Sequence, residues 1–275
     1  MALKDLTVVI TTFKSEKKIN NCLASLGPEV KVIIVENSNN DKFTKDLESQ
    51  YTNVRCILTG ENTGYAKGNN LGLKEVKTRY ALVLNPDTIV AKDALHNFIN
   101  SAKKDLNFFL IGPDQKNSFS IKKEIYEVEN IKGFALFFNM QKFNNIFFDE
   151  NYFLYFEEID LCKKIRKAGG KIYLDTSIKI IHEGGKSVNV NSSGEELEKN
   201  RNWHWMWSTF YYHKKYNSFF FALKIVLPKL ISAFIKIIFY RLIFNKKRSD
   251  IYFFRFSGLI NSILGKKSWH RPSLD

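Results

Sequence analysis

The stretch Leu6-Thr7-Val8-Val9-Ile10-Thr11-Thr12 decides the fold of this 275-residue chain. It is β-branched and apolar, with turn and helix signals directly after it, and reads as a buried strand. Ile19, Cys22, Leu23 and Leu26 then recur at helical spacing up to Gly27-Pro28. A second apolar run covers residues 32–35 and ends at Glu36-Asn37-Ser38. A polar helical segment, a third strand over 54–58, a helix over 64–76 and a fourth strand over 80–84 follow. Strands alternating with helices predict an α/β fold with a mostly parallel central sheet flanked by helices. Ligands of such sheets sit beyond the carboxyl ends of the strands. Those ends here carry Thr11-Thr12, Glu36-Asn37 and Asn85-Pro86-Asp87. From residue 107 to 148, short runs at 108–111 and 134–138 predict a mixed extension of the sheet. Residues 195–216 read as one helix crowded with Trp203, Trp205, Trp207, Phe210, Tyr211 and Tyr212, most of its tryptophans packing in a core.

With 44% apolar residues the chain has the composition of a globular protein with one sizeable core and room for an appendage. The net charge of +14 is unevenly placed. Residues 201–275 hold 14 Lys/Arg against Asp250 and Asp275, 14 − 2 = +12, which leaves 28 − 26 = +2 for residues 1–200. A near-neutral globule followed by a basic region points to an anionic partner surface. No helix-turn-helix, zinc-finger or RNA-binding motif accompanies the charge, so a nucleic-acid partner is not expected. Cys22, Cys56 and Cys162 have no ligand spacing and fit structural thiols in a reducing cytoplasm. The first residues run straight into the first strand without the pattern of a signal peptide.

Residues 218–244 have the length of a membrane span, but Lys224, Lys229, Lys236 and Arg241 interrupt them. Each cation at mid-bilayer depth costs roughly 2.5–3.5 kcal/mol. An amphipathic helix lying in the membrane plane avoids that cost, because its lysines reach the headgroups. Lys246-Lys247-Arg248 follows, then a second apolar and basic segment over 251–264. These features predict contact with an anionic membrane surface; the plainer alternative is a helical hairpin with a solvated basic face. The expected division is a catalytic domain over 1–195 and a helical, basic, membrane-associating region over 196–275.

Four groups of residues carry candidate chemistry. Asp87 stands at a strand end, where a carboxylate suits Mg²⁺ or Mn²⁺ when phosphates supply the other oxygens; Asn-Pro-Asp is also a common turn. Glu61-Asn62-Thr63-Gly64-Tyr65-Ala66-Lys67-Gly68 is a small, polar loop before a helix. Its glycines permit close backbone approach, and Lys67 offers a point charge to a diphosphate; a solvated helix start reads equally from it. Glu157, Glu158 and Asp160 follow the aromatic run at Phe153, Tyr155 and Phe156. The helix dipole favours acids there, and a carboxylate beside apolar surface can also serve as a general base. His182 follows an apolar run and precedes Glu-Gly-Gly-Lys-Ser187, which suits either a structural histidine or the edge of a pocket.

In order and spacing, these blocks resemble family 2 glycosyltransferases of the GT-A fold, most of all the bacterial rhamnosyltransferase-like branch. The matching pieces are Val8–Phe13, 35–38, 61–70, 84–88, Gly133-Phe134-Ala135, 148–162 and 182–187, so the resemblance covers about residues 5–190. It implies metal-assisted, inverting transfer of a sugar from a nucleotide diphosphate. Thr11, Thr12 and Glu36 would hold the nucleoside, with Asn62, Gly64, Lys67 and Gly133 also lining the nucleotide-sugar site. Asp87 matches the second Asp of the family's DxD motif and would bind Mg²⁺ or Mn²⁺, which His182 can join. Glu158 matches the usual catalytic Asp and would deprotonate the acceptor hydroxyl, with Glu157 a competitor for that role. Asn85 stands where the motif has its first Asp, and Glu158 is one methylene longer than the usual base. The implied donor is dTDP-L-rhamnose, with a UDP-hexose or hexosamine as runner-up. A lipid-linked saccharide is the implied acceptor, in surface polysaccharide synthesis on the inner face of the plasma membrane. A non-catalytic, membrane-bound scaffold with a degenerate GT-A fold is the contrasting expectation.

Overall fold

The computed structural model describes residues 3–104, 107–113, 125–144, 147–182 and 194–272. These divide into two compact units, one within Met1–Asp149 and Glu157–Asn189, the other within Glu150–Phe156 and Val190–Asp275. The segment Glu150–Phe156, which the sequence placed inside the first region, therefore clusters with the second.

In the first unit, strands β1 (Leu6–Thr12), β2 (Lys31–Glu36), β3 (Val54–Leu58) and β4 (Tyr80–Leu84) pair in parallel, in the order β3-β2-β1-β4. Helices α1 (Glu16–Leu26), α2 (Asp41–Gln50) and α3 (Gly64–Lys74) lie between them in the chain. The short β5 (Thr88–Val90) and α4 (Ala94–Ala102) follow β4. Beyond β4 the sheet continues through β6 (Phe108–Pro113), β7 (Ile125–Glu127), β8 (Ala135–Asn139) and β9 (Lys171–Asp175), in the order β8-β6-β9-β7. Here β8 runs antiparallel to both β4 and β6, β6 and β9 are parallel, and β7 is an antiparallel edge. Helix α5 (Glu157–Lys167) precedes β9. Strand β10 (Ile180–His182) pairs antiparallel with β5 in a separate ribbon that sets His182 opposite Thr88.

The alternation of side chains along a strand splits the core in two. Val8, Ile10, Ile34 and Leu82 join Ile19, Leu23 and Phe98 on one face. Val9, Val35 and Val83 join Ala66, Leu73, Leu161 and Ile165 on the other. Helix α3 comes close to β1 because two glycines face it. A Cβ at Gly68 would lie 2.6 Å from Thr11 Cγ2, and one at Gly72 2.4 Å from Val9 Cγ1.

The second unit contains α6 (Gly194–Tyr216), α7 (Phe219–Leu242) and α8 (Lys246–Ile263). The side chain of Ser218 caps α7 by accepting from the Phe221 amide, and Asn245 caps α8 by accepting from Arg248. Met206 and Phe210 of α6 share a core with Ala222, Val226 and Leu259. Gly258 of α8 lies directly on the α6 backbone, since a Cβ there would be 2.3 Å from the Trp203 carbonyl oxygen. Trp203 and Trp207 are buried, and their indole N–H groups donate to Ser257 Oγ and the Lys266 carbonyl. Trp205 is exposed. Phe153 stacks on His204, Tyr155 and Phe156 pack on Trp205, and Ser208 donates to the Leu154 carbonyl. These contacts hold the outlying segment on α6. They also hold Tyr155 and Phe156 at φ of 69° and 71°, a left-handed conformation that is costly for residues with a Cβ.

Candidate active site

The site lies wholly in the first unit, at the carboxyl ends of β1, β2 and β4 and the start of α5. Thr12 and Glu36 cap β1 and β2, which are paired in register at these two residues. Both are fully buried, and the Thr12 hydroxyl donates to Glu36 Oε2. Glu36 Oε1 accepts from the Ser38 amide at 2.6 Å and from its hydroxyl. Burial raises the pKa of Glu36 against the opposing effect of these hydrogen bonds. This pair thus shapes the strand ends through bonds to its own neighbours. Thr11 donates to Asn69 Oδ1 at 3.0 Å, tying β1 to α3. Beside them an open depression is lined by Lys14, Glu16, Ser38, Asn39, Asn40 and Asp41.

The loop into α3 is ordered by its own side chains. Asn62 Oδ1 accepts from the Gly64 amide at 3.1 Å, and Gly64 takes φ +83°. Asn37 accepts from the Thr63 hydroxyl and donates to the Gly64 carbonyl. Lys67, one turn into α3, is half-buried.

Asp87 follows β4 through Asn85-Pro86. The Asp87 side chain at this strand end is 0% exposed. Neither of its oxygens has a hydrogen-bond partner among the described residues. His182 Nε2 is 3.4 Å from Oδ1, and the same nitrogen is 3.3 Å from Asn85 Nδ2. The imidazole is held flat on Phe134, with ring centroids 4.8 Å apart and planes 8° apart. Residues 183–187, the rest of the expected histidine loop, lie outside the described residues. A buried carboxylate with two unpartnered oxygens next to an imidazole nitrogen fits a divalent cation that takes its remaining ligands from phosphate and water. No group of three or more His, Cys, Asp or Glu residues gathers at metal-binding distance among the described residues, which supply this pair there.

Glu157 and Glu158 open α5. Glu157 is buried, and its pKa is raised well above the carboxylate range, first by burial and then by the charge of Glu158. Burial also raises Glu158, while backbone hydrogen bonds at the helix start oppose the shift. One oxygen of each has no hydrogen-bond partner among the described residues. Asp160, the third acid of the run, is fully buried with Lys164 Nζ 3.2 Å away, so it is engaged within the helix. The rings expected to surround these acids (Phe153, Tyr155 and Phe156) pack on α6 instead.

Tyr65 was not singled out from sequence, yet it joins the parts. Its hydroxyl donates to the Gly133 carbonyl at 2.5 Å. Its pKa is raised first by burial and then by the charges of Glu157 and Glu158, with Asp87 adding to them. Gly133 also faces Glu158, whose Cβ and Cγ would lie 3.5 Å from a Cβ built at 133. The next residue, Phe134, carries the His182 ring and accepts from the Asn85 amide. Gly133-Phe134 thus links the Asp87–His182 side to the Glu157–Glu158 side. The only available clue to Tyr65 was its place in the Asn62–Gly68 loop.

The fold is shared with solved structures. The chain matches a mannosyltransferase from Pyrobaculum calidifontis, solved with GDP-Man and Mn²⁺, at a TM-score of 0.56 and 11% identity, covering 96% of this chain and 88% of that one. It matches TarS of S. aureus (residues 1–349, solved with UDP) at a TM-score of 0.50 and 14% identity, covering 95% and 92%. These matches show the fold, which is GT-A. The chain belongs to the glycosyl transferase family 2, whose profile matches residues 7–162. Among curated relatives, it is 24% identical over 195 residues to the low-salt glycan biosynthesis hexosyltransferase Agl10 of Haloferax volcanii. It is 27% identical over 179 residues to the glycosyltransferase YfnE of Bacillus subtilis, and 24% identical over 217 residues to the rhamnosyltransferase WbbL of Escherichia coli. These matches cover 60%, 58% and 64% of this chain. The chain spans 62% and 46% of the length of the first two, and 82% of the third.

Proposed function

We propose that the protein transfers a sugar from a nucleoside-diphosphate donor to a saccharide hydroxyl with inversion at the anomeric carbon. The observation that carries this reading is the buried Asp87 carboxylate beside His182, linked through Gly133-Phe134 to the buried Glu157–Glu158 pair. Asp87 and His182 would hold Mg²⁺ or Mn²⁺, which would supply charge neutralisation for the donor diphosphate. Lys67 and the backbone at Asn62–Gly64 face the same diphosphate. Thr11, Thr12 and Glu36 form the floor under the nucleoside. Glu158 takes the proton from the acceptor hydroxyl as the oxygen attacks the anomeric carbon in line with the departing nucleoside diphosphate. Glu157 lies deeper and feels the charge of its neighbour, which favours its protonated form and leaves Glu158 as the base. Tyr65 and Gly133 fix the position of Glu158, a positioning role. The GDP-Man bound to one structural neighbour and the UDP bound to another support a nucleotide-sugar donor here.

The donor we favour is dTDP-L-rhamnose, supported by the match to a rhamnosyltransferase over most of that protein's length. The hexosyltransferase relative supports a UDP-hexose as the second reading. The acceptor is a lipid-linked saccharide of a surface polysaccharide, and the catalytic domain over 1–195 works at the cytoplasmic face of the membrane on which the 196–275 region rests. No helix among the described residues is long and apolar enough to cross a membrane. Three free thiols accord with a reducing compartment.

Thermal melts with dTDP, UDP and GDP, each with Mn²⁺ or Mg²⁺, test the donor site. A ligand at a hundred times its Kd stabilises the fold by about 2.7 kcal/mol. Metal-dependent stabilisation by dTDP above UDP supports the rhamnose donor, and the reverse order supports the hexose. A well-folded protein that responds to none of them is a scaffold and overturns the proposal.

A further inference from the structure

Helix α7 has two opposite sides. Ala222, Val226, Ala233 and Ile237 are buried. Phe220, Leu227, Ile231, Phe234, Ile235, Ile238 and Leu242 are all exposed, from 44% for Leu227 to 79% for Phe220. At about 100° per residue these seven, together with the exposed Phe221, Ile225 and Phe239, fall within an arc of roughly 180° centred opposite the buried side. About six helical turns of exposed Phe, Ile and Leu are a continuous apolar stripe, far from the scattered single exposures of ordinary surfaces.

The helix contains no acidic residue. Lys229 and Lys236 flank the stripe on one side and Arg241 on the other, while Lys224 enters it near the N-terminal end, where its stem can reach outward. Pro228, Ser232 and Lys236 form an edge shared by two shallow grooves. One is apolar, with Leu227, Ile231 and Ile235. The other is cationic, with Lys229 of α7 and Tyr252 and Arg255 of α8. Lys236 Nζ lies 4.9 Å from the centroid of the Tyr252 ring, and Arg255 Cζ lies 5.6 Å from it. No carboxylate pairs with Lys229, Lys236 or Arg255 among the described residues. Two cations on one ring with a third beside them, and no acid, form a phosphate-sized site next to an apolar slot.

We infer that α7 lies along an anionic phospholipid leaflet, its Phe220–Leu242 stripe among the acyl chains and one lipid phosphate seated between Lys229, Lys236 and Arg255. Charge selects this occupant over a second copy of the chain. Two α7 faces brought together would set lysine against lysine with no acid to separate them, whereas a leaflet of anionic lipids supplies the missing negative charge. The inference deepens the membrane partner proposed above and rests on it, but it needs no turnover.

The test is flotation of the full chain with phosphatidylcholine vesicles, with and without phosphatidylglycerol, at physiological salt. The protein is expected to float with the anionic vesicles and to remain below with the neutral ones. Phe234→Glu with Ile238→Glu should lower the bound fraction at least about tenfold. Lys229→Gln with Lys236→Gln should remove the preference for phosphatidylglycerol. An Asp87→Ala variant, blocked in donor binding, should float like the parent, which separates this proposal from the catalytic one. Circular dichroism confirms that each variant is folded. If the parent stays below with anionic vesicles, the proposal falls. It falls equally if sedimentation shows a dimer that Phe234→Glu with Ile238→Glu dissolves while vesicle binding is unchanged.

Discussion

Replacing Glu158 by Gln separates the chemical role of this side chain from its structural one. Gln keeps the length of the side chain and its approach to Gly133 but cannot take a proton. Loss of a general base costs about 10²–10⁴ in rate, or roughly 2.7–5.5 kcal/mol in barrier. The stability effect has the opposite sign. Burial raises the Glu158 pKa above its unfolded value, so between those two values the folded state binds more protons than the unfolded state. Folding stability then falls as pH rises through that window and remains lower at neutral pH. Gln carries no charge, so E158Q should melt at or above the parent at neutral pH, and the difference should close on acidification. The assay pairs nucleoside diphosphate release, measured with a saccharide acceptor, with thermal melts across pH. E157Q should show the same gain in stability, since burial and Glu158 raise that pKa as well, but keep its turnover within about tenfold. If E158Q retains near-parental turnover, or if E157Q suffers the larger loss, the assignment of base and proton holder is wrong.

Further outcomes follow from other residues. Asp87→Asn should abolish metal-dependent stabilisation by a nucleoside diphosphate in thermal melts while leaving the unliganded melting point unchanged or higher, because a buried, unpartnered charge is removed. Tyr65→Phe leaves the Gly133 carbonyl without its donor, which should cost about 1–3 kcal/mol in urea unfolding and lower kcat more than the donor KM changes. Gly72→Ala places a methyl 2.4 Å from Val9 Cγ1 and should destabilise the first unit by about 1–3 kcal/mol, read from its urea midpoint. His204 is buried between Ser268 and the His270 carbonyl, and burial lowers its pKa to about 3. The unfolded chain therefore gains this proton first as pH falls from 6.5. Stability of the second unit should drop on acidification by up to about 1.4 kcal/mol per pH unit, and His204→Gln should flatten that slope in urea titrations.

The first four strands and three helices were legible because each carries its own period: β-branched runs ending in polar residues, or apolar positions at three and four. Asp87, Glu157, Glu158 and His182 were legible as chemistry-bearing types at the ends of such runs. What sequence did not disclose was the product of distant pairing. β5 and β10 are three residues each and become strands only against one another, some ninety residues apart in the chain. The antiparallel insertion of β8 between β4 and β6 has no local signature either. Tyr65 looked like one aromatic in a polar loop, since its role depends on Gly133, 68 residues away. The aromatic run before Glu157 was legible as buried rings, but not that its partners lie on α6.

The excursion at Glu150–Phe156 has a practical consequence for anyone dividing the molecule. The chain leaves the first unit at Asp149, spends seven residues in the second, and returns at Glu157, so the two units are threaded through one another in sequence. A truncation that ends near residue 195 keeps every candidate catalytic side chain but discards α6, on which Phe153, Tyr155 and Phe156 rest. Those three rings would then meet water immediately before the acidic pair. The left-handed turn at Tyr155 and Phe156 would lose what holds it. An inactive or insoluble truncated protein would therefore report a broken scaffold and say nothing about whether the helical region takes part in the chemistry. Single substitutions in the intact chain are the only clean dissection this topology permits.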